Sequence, residues 1–270
     1  GIPYLLMKVA VTELSPVLIV FSRVAIGAAI LVPLAVRRKS LGVALSNLKI
    51  VIPYTIAEMV GPWILISTAE KKVSSGLAGL LIATVPIWST LQASFYGDKT
   101  VWHKKRLFGL IVGFIGVVLV VGIESFSGKQ SVLAIFMIIL SAMGYSWATI
   151  LVNRKIPQVD GIALNGVAMA LTALVYAPLA FTHLPHHSPR ATVWLSIILL
   201  GLFPTAFAFI IFFELMPIIG PTRASLVTYL NTAFAVLLGV IILGEKMTLG
   251  IATGLPLVLL GSYFASRKNS

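Results

Sequence analysis

Apolar residues in this chain come in long runs that neither alternate nor form one-sided stripes. The runs, and the polar or Pro/Gly breaks between them, predict helices at about 1–12, 16–36, 50–69, 74–96, 107–123, 131–152, 161–182, 191–215, 221–243 and 248–265. The breaks have local chemistry. Glu13-Leu14-Ser15-Pro16 reads as a tight turn, with Pro at the start of the next helix, where its missing N–H costs nothing. Arg37-Arg38-Lys39 closes the second run, and His103-Lys104-Lys105-Arg106 precedes the fifth. Runs of this length satisfy every backbone group within the segment if they are helical, as lipid demands. A β-barrel would instead alternate over segments of about 10 residues.

Composition turns these runs into spans. Of the 270 residues, 59% are hydrophobic and 10% charged, and the mean hydropathy is +1.03. A soluble domain carries about 25% charged residues, so this chain has too little polar surface for water. A span takes about 20 apolar residues, and the length accommodates ten. The expectation is an all-α integral membrane protein whose main partner is the lipid bilayer.

Lys and Arg number 20 against 8 Asp and Glu. In a soluble protein that excess would suggest nucleic acid. Here it sits in short clusters between runs, which points to membrane topology and not to a nucleic-acid partner. With the N-terminus inside, the cytoplasmic set is Arg37, Arg38, Lys39, Lys49, Lys99, Lys104, Lys105, Arg106, Arg154, Lys155, Arg223, Arg267 and Lys268. The outer loops hold only Lys71, Lys72, Lys129, Arg190 and Lys246, which places both termini in the cytoplasm. The short loops and absence of glycan-rich segments fit a bacterial inner membrane.

Cysteine is absent, which excludes disulfides, thiolate metal sites and a cysteine nucleophile. His183, His186 and His187 cluster beside Pro185 and Pro189 without a carboxylate and read as a solvated loop, so no metal is expected. No phosphate-cradling G-x-x-x-x-G-K-[ST] loop occurs, so this chain does not drive transport with ATP, and no cofactor is called for. No Ser/His/Asp grouping falls at one depth, so an enzyme is not expected.

The chain also repeats itself. Gly97-Asp98-Lys99 returns as Gly244-Glu245-Lys246; Gly109 and Gly116 return as Gly254 and Gly261; Pro33-Leu34-Ala35 returns as Pro178-Leu179-Ala180. This divides the chain into halves at 1–127 and 128–270, with five helices each. An odd number per half inverts the second half, as in secondary transporters, whose substrate site lies near the midplane between the halves. Gly144 corresponds to Gly1, and its helix begins earlier, at Ser131; the first helix is therefore expected to lack a comparable stretch upstream of Gly1.

Residues spread over the chain carry a family resemblance. In the first half they are Gly1, Lys8, Pro16 and Arg23, then Ser74-Ser75-Gly76-Leu77-Ala78 leading to Ala83-Thr84-Val85-Pro86, then Gly97-Asp98 with Gly109 and Gly116. In the second half they are Ala206-Phe207-Ala208-Phe209, Gly220-Pro221-Thr222-Arg223-Ala224-Ser225-Leu226, and Leu243-Gly244-Glu245-Lys246-Met247-Thr248 with Gly254 and Gly261. In this order the chain resembles EamA-type transporters of the drug/metabolite transporter superfamily, and is most similar to the YddG type of amino-acid exporter. The resemblance implies ten helices in two inverted five-helix repeats, exporting amino acids or related metabolites. The mid-helix Pro86 of the first half is Ala233 in the second, so symmetric kinking is not expected.

Several polar and aromatic residues lie within spans. Glu58 is near the middle of the third, with Tyr54 and Pro62 on its helix face. A carboxylate at that depth costs about 2.5–3.5 kcal/mol on insertion scales, so it faces a wet cavity or a partner. It reads either as a group for protons or a substrate amine, or as a lock on Arg23 or Lys8. Arg23 lies seven residues into the second span and suits a substrate carboxylate or a helix contact equally. Lys8 reads as structural, its stem long enough to snorkel. Tyr54, Trp88, Tyr145, Trp147 and Tyr229 fall inside spans and not in interface belts, as they would in a cavity receiving an apolar or cationic group. Thr84 and Asn231 match across the repeats, and Asn231 needs either a helix partner or substrate. Pro86 frees the carbonyl of Ile82 and permits a hinge. Gly109-x-x-x-Gly113 and Gly250-x-x-x-Gly254 suit close packing within the chain. Asp98 and Glu245 read as boundary pairs or caps.

The expected function is secondary transport, exporting small metabolites by alternating access. The competing readings are a multidrug or quaternary-cation exporter, an organellar phosphate-ester antiporter, an intramembrane enzyme and a channel. The antiporter would need midplane basic residues from both halves, and the second half supplies none. The repeat favours a carrier over a channel.

Overall fold

A computed structural model describes residues 1–98, 103–126, 131–185, 187–224 and 226–266. Lys99, Lys129, His186, Ser225, Arg267 and Lys268 lie outside the described residues, as do the side chains of Arg223 and Tyr229. The described chain is helical throughout, without a strand. Its helices are α1 (Ile2–Ala10), α2 (Pro16–Arg37), α3 (Leu41–Ser46), α4 (Leu48–Thr55), α5 (Gly61–Ala69), α6 (Ser75–Ile82) and α7 (Val85–Phe95). They continue as α8 (Lys104–Phe126), α9 (Val132–Lys155), α10 (Gly161–Thr182), α11 (Ala191–Gly201), α12 (Ala208–Ala224), α13 (Leu226–Leu243) and α14 (Leu249–Ser266). Among the described residues, six segments are long and apolar enough to cross a bilayer: Pro16–Arg37, Leu48–Ala69, Ser75–Phe95, Val132–Lys155, Gly161–Thr182 and Ala191–Leu215. Shorter apolar helices run over Leu230–Leu243 and Leu249–Ala265.

The termini follow the sequence chemistry. Ser15 caps α2, its Oγ accepting from the Leu18 N–H at 3.2 Å with Pro16 at the first position. Asp160 caps α10 by accepting from Ala163 N–H at 2.8 Å. Beyond the apolar segment Ala191–Leu215, α12 runs on to Ala224. Glu214 on α12 pairs with Arg38 just past the end of α2.

The packing pairs helices across the chain. The most extensive contacts join α8 to α14, α2 to α10, α5 to α9 and α6 to α13; α1 meets α11 and α13, and α7 meets α9. Among the described residues, two large buried apolar cores result, with a small third of Ile87, Leu110 and Ala265. One gathers Met7, Leu18, Leu77, Leu81, Ile138 and Ile197, and the other Leu31, Val51, Met59, Ile162, Met169 and Ala206. Tyr145 packs against both. Large side chains such as Leu174, Phe181, Ile241 and Leu249 stay exposed, with lipid as their solvent.

Glycine sets the α8–α14 approach. A Cβ on Gly261 would stand 2.7 Å from the Gly109 carbonyl oxygen and would collide with the backbone of Gly113. Gly244 adopts φ +64°, turning the chain after α13 so that Glu245 reaches the start of α6. There its carboxylate accepts from Ser75 N–H at 2.8 Å, Ser75 Oγ at 2.9 Å and Gly76 N–H at 3.3 Å. Glu245 is thus a cap for α6, 170 residues away in sequence, where the N–H groups left over by the first turn welcome a negative charge. Asp98 follows Gly97 (φ +89°) and pairs with Arg106 at 3.2 Å.

At the α1–α2 turn, Glu13 accepts from the Arg190 backbone N–H at 2.9 Å and pairs with its side chain. These hydrogen bonds favour the charged form and hold the Glu13 carboxyl below its ordinary range. Because the folded value lies below the unfolded one, the stabilisation is full above the ordinary carboxylate range and fades as pH falls through the folded value. Glu13→Gln is therefore expected to lower the thermal midpoint in detergent at neutral pH and to match the wild type in acid. A gap independent of pH would refute the pairing.

Candidate functional site

Two helices lose α-helical register at their centres. Residues Ile56–Val60, between α4 and α5, form a π-helical turn, and so do Leu202–Phe207, between α11 and α12. Pro62 follows the first, and Pro204 lies within the second. Pro62 brings no N–H to the Glu58 carbonyl, and Pro204 brings none to that of Leu200. In the second turn the freed carbonyl is taken up by Thr205, whose Oγ donates to Leu200 O at 2.7 Å. At the end of the first, the Tyr176 hydroxyl donates to a different carbonyl, that of Val60, at 2.7 Å. Gly144 lets α9 lie against this turn, since a Cβ there would stand 2.7 Å from the Ala57 oxygen. Single π turns inside α-helices frequently mark functional sites.

Arg23 links the two. Its Nε donates to Thr205 Oγ at 2.7 Å, and its guanidinium lies 3.7 Å above the Trp63 ring, one turn beyond Glu58. Stacking orients the planar cation, and the Nε bond fixes its rotation. Its Nη groups make no hydrogen bond among the described residues, and Tyr4, Tyr145 and Glu70 are the ionisable side chains that act on it. Tyr145 of α9 lies beside Trp63 and within electrostatic reach of Glu58. Glu58 forms no ion pair among the described residues; neither Arg23 nor Lys8 locks it.

The remaining candidates have other partners. Tyr54 donates to Asn165 of α10 at 2.9 Å. Trp88 donates to Thr84 Oγ at 3.0 Å and stacks edge-on with Phe114, while Thr84 donates to Leu81 O at 2.6 Å. Trp147 donates to the Tyr96 hydroxyl at 3.0 Å, joining α9 to the end of α7, with Arg154 over the Tyr96 ring. The Asn231 side chain accepts from the Gly1 amine and lies within reach of Tyr4, both on the first helix. At Pro86 the fourth span breaks: α6 ends at Ile82 and α7 begins at Val85, with the Ala83 carbonyl accepting from Ser262 Oγ at 2.7 Å. No such break interrupts α13 at Ala233.

Trp63 and Thr205 belong to this constellation without standing out in the sequence. For Thr205 a signal existed, since Pro204 within an apolar run demands a substitute donor nearby. Trp63 reads as one more apolar residue until Arg23 is seen above it.

The profile of the EamA-like transporter family matches residues 1–122 and 132–267. The chain belongs to the EamA-like transporter family. It is 25% identical to the uncharacterized transporter YoaV of Bacillus subtilis, over 99% of this chain and 94% of that protein. It is 24% identical to an uncharacterized transporter of Archaeoglobus fulgidus, over 99% of this chain and 95% of the other. With the uncharacterized inner membrane transporter YedA of Escherichia coli it shares 24% identity over 76% of this chain and 68% of that one. A solved crystal structure superposes with a TM-score of 0.68 at 20% identity, covering 97% of this chain and 94% of the other, a likeness of fold. This EamA protein is therefore a multi-pass membrane transporter and not an enzyme.

Proposed function

We propose that this protein is a secondary transporter that exports small amphipathic metabolites, amino acids above all, by alternating access, as the YddG type does. The observation that carries the reading is Arg23, stacked on Trp63 and tied by Nε to Thr205, with its Nη groups left for a carboxylate. A fork held in this way suits bidentate recognition. Glu58 takes the substrate amine or a proton, and the aromatic side chains of Trp63, Tyr145 and Tyr54 line the space for the side chain. Pro86 serves as a hinge.

We further propose ten spans in two inverted halves, 1–127 and 128–270, with both termini cytoplasmic. Supporting this, the two π turns fall at equivalent places in the halves, and the helix pairs α1–α11 and α9–α5 exchange under the repeat. The family matches also fall on either side of the junction.

Counterflow of labelled amino acids in liposomes, with an aromatic one, Thr and Lys in the panel, tests the reading. Saturable exchange inhibited by unlabelled substrate is expected. Uptake of a lipophilic cation alone would transfer Glu58 and the aromatics to a multidrug exporter, and flux that never saturates would mean a channel. Glu58→Gln is expected to lower exchange or to flatten its pH profile. An unchanged rate and profile would remove Glu58 from the mechanism.

A further inference from the structure

Glu70 follows the last residue of α5 and is fully buried, at 0% exposure. Neither carboxyl oxygen has a hydrogen-bond partner among the described residues. This contrasts with Glu245, whose carboxylate collects three donors at the start of α6. The charged and titratable groups that face Glu70 are Lys8 and Tyr4 from α1, Arg23 from α2 and Glu245 from the turn after α13. Lys8 does not bond the carboxyl. Its Nζ donates to the backbone oxygens of Glu70 and Val73, at 2.6 Å each, and so ties α1 to the end of α5. Arg23 is likewise engaged with Thr205 and Trp63.

A carboxylate without donors in a dry site is among the costliest arrangements in a protein, whereas the neutral acid is tolerated. The packed state therefore suits the protonated carboxyl. If α1 moves off the α5–α6 turn, Lys8 releases the two carbonyls, water enters, and the hydrated carboxylate becomes the favoured form.

We propose that Glu70 is a proton-binding site of the transport cycle, holding a proton while the α1–α5 contact is closed and releasing it when that contact opens. In the closing step a proton from water forms an O–H bond with one Glu70 oxygen; in the opening step that bond breaks and the proton returns to water. No other reactant is needed. The inference rests on the transport reading but is separable from it.

Two readouts decide it. Infrared spectra of the reconstituted protein at neutral pH should show a protonated carboxylic acid band that disappears in Glu70→Gln and persists in Glu58→Gln. A band absent from the wild type, or unaffected by Glu70→Gln, overturns the proposal, whether or not any amino acid is transported. In liposomes, Glu70→Gln should retain counterflow and lose all acceleration by a proton gradient; retained acceleration overturns it. Because neither oxygen has a partner among the described residues, Glu70→Gln and the apolar Glu70→Met should both fold. Failure of both would reveal a structural role for the carboxylate and end the proposal.

Discussion

Arg23→Gln is expected to reduce amino-acid counterflow by about 10- to 100-fold while leaving the protein folded. A hydrogen bond to a charged group contributes about 1.5–3 kcal/mol, and each 1.4 kcal/mol is a factor of ten. The fold should survive because, among the described residues, the side chain's one hydrogen bond is to Thr205, whose hydroxyl keeps its own bond to Leu200. Arg23→Lys keeps the charge but loses both the planar fork and the stack on Trp63, so it should recover little. Thr205→Val, which removes the Nε acceptor, should lower affinity and leave maximal exchange nearer the wild type. Full activity of Arg23→Gln would sink the carboxylate assignment and, with it, the amino-acid reading.

The second large effect concerns stability. Gly261→Leu is expected to be destabilising by about 3 kcal/mol or more, since overpacking a tight contact costs about 1–3 kcal/mol and here the obstacle is backbone. The α8–α14 contact is among the most extensive in the molecule, and Gly261 meets Gly109 and Gly113 in its middle. Flexible side chains could yield to an added Cβ; a facing helix backbone can only move away as a unit. Gly42→Ala is the control, because nothing lies within 4 Å of a Cβ built there. Thermal unfolding in detergent should show a large loss for Gly261→Leu and none for Gly42→Ala. Equal midpoints would show that these glycines do not set the helix separation.

The paired glycines also show what was legible in advance. Gly109 and Gly113 read from the sequence as close-packing positions within one chain, because a missing Cβ matters only where another backbone approaches, whereas Gly261, which meets them, reads there only as part of the repeat. Glu245 reads as a boundary pair or cap, though not as a cap for so distant a helix as α6. Pro86 reads as permitting a hinge, because the loss of an N–H is a local fact. Glu58 was read as needing either a wet site or a basic partner; the structure supplies no ion pair for it.

The sequence by itself determined the class of the molecule: apolar runs of span length leave lipid as the only suitable solvent, and helix as the backbone form that satisfies its own polar groups there. It also located the six long apolar segments found among the described residues, since their ends rest on chemistry that acts over a few residues. The tertiary structure alone decided the site. Arg23 and Thr205 are 182 positions apart, and Lys8 lies 62 from the carbonyl it holds. Nothing local in the chain encodes which π turn a guanidinium meets, or that Glu70 is left among neighbours already engaged elsewhere. Those facts arise when helices pack, because packing brings distant side chains together and removes the water that would otherwise make their pairing a matter of indifference.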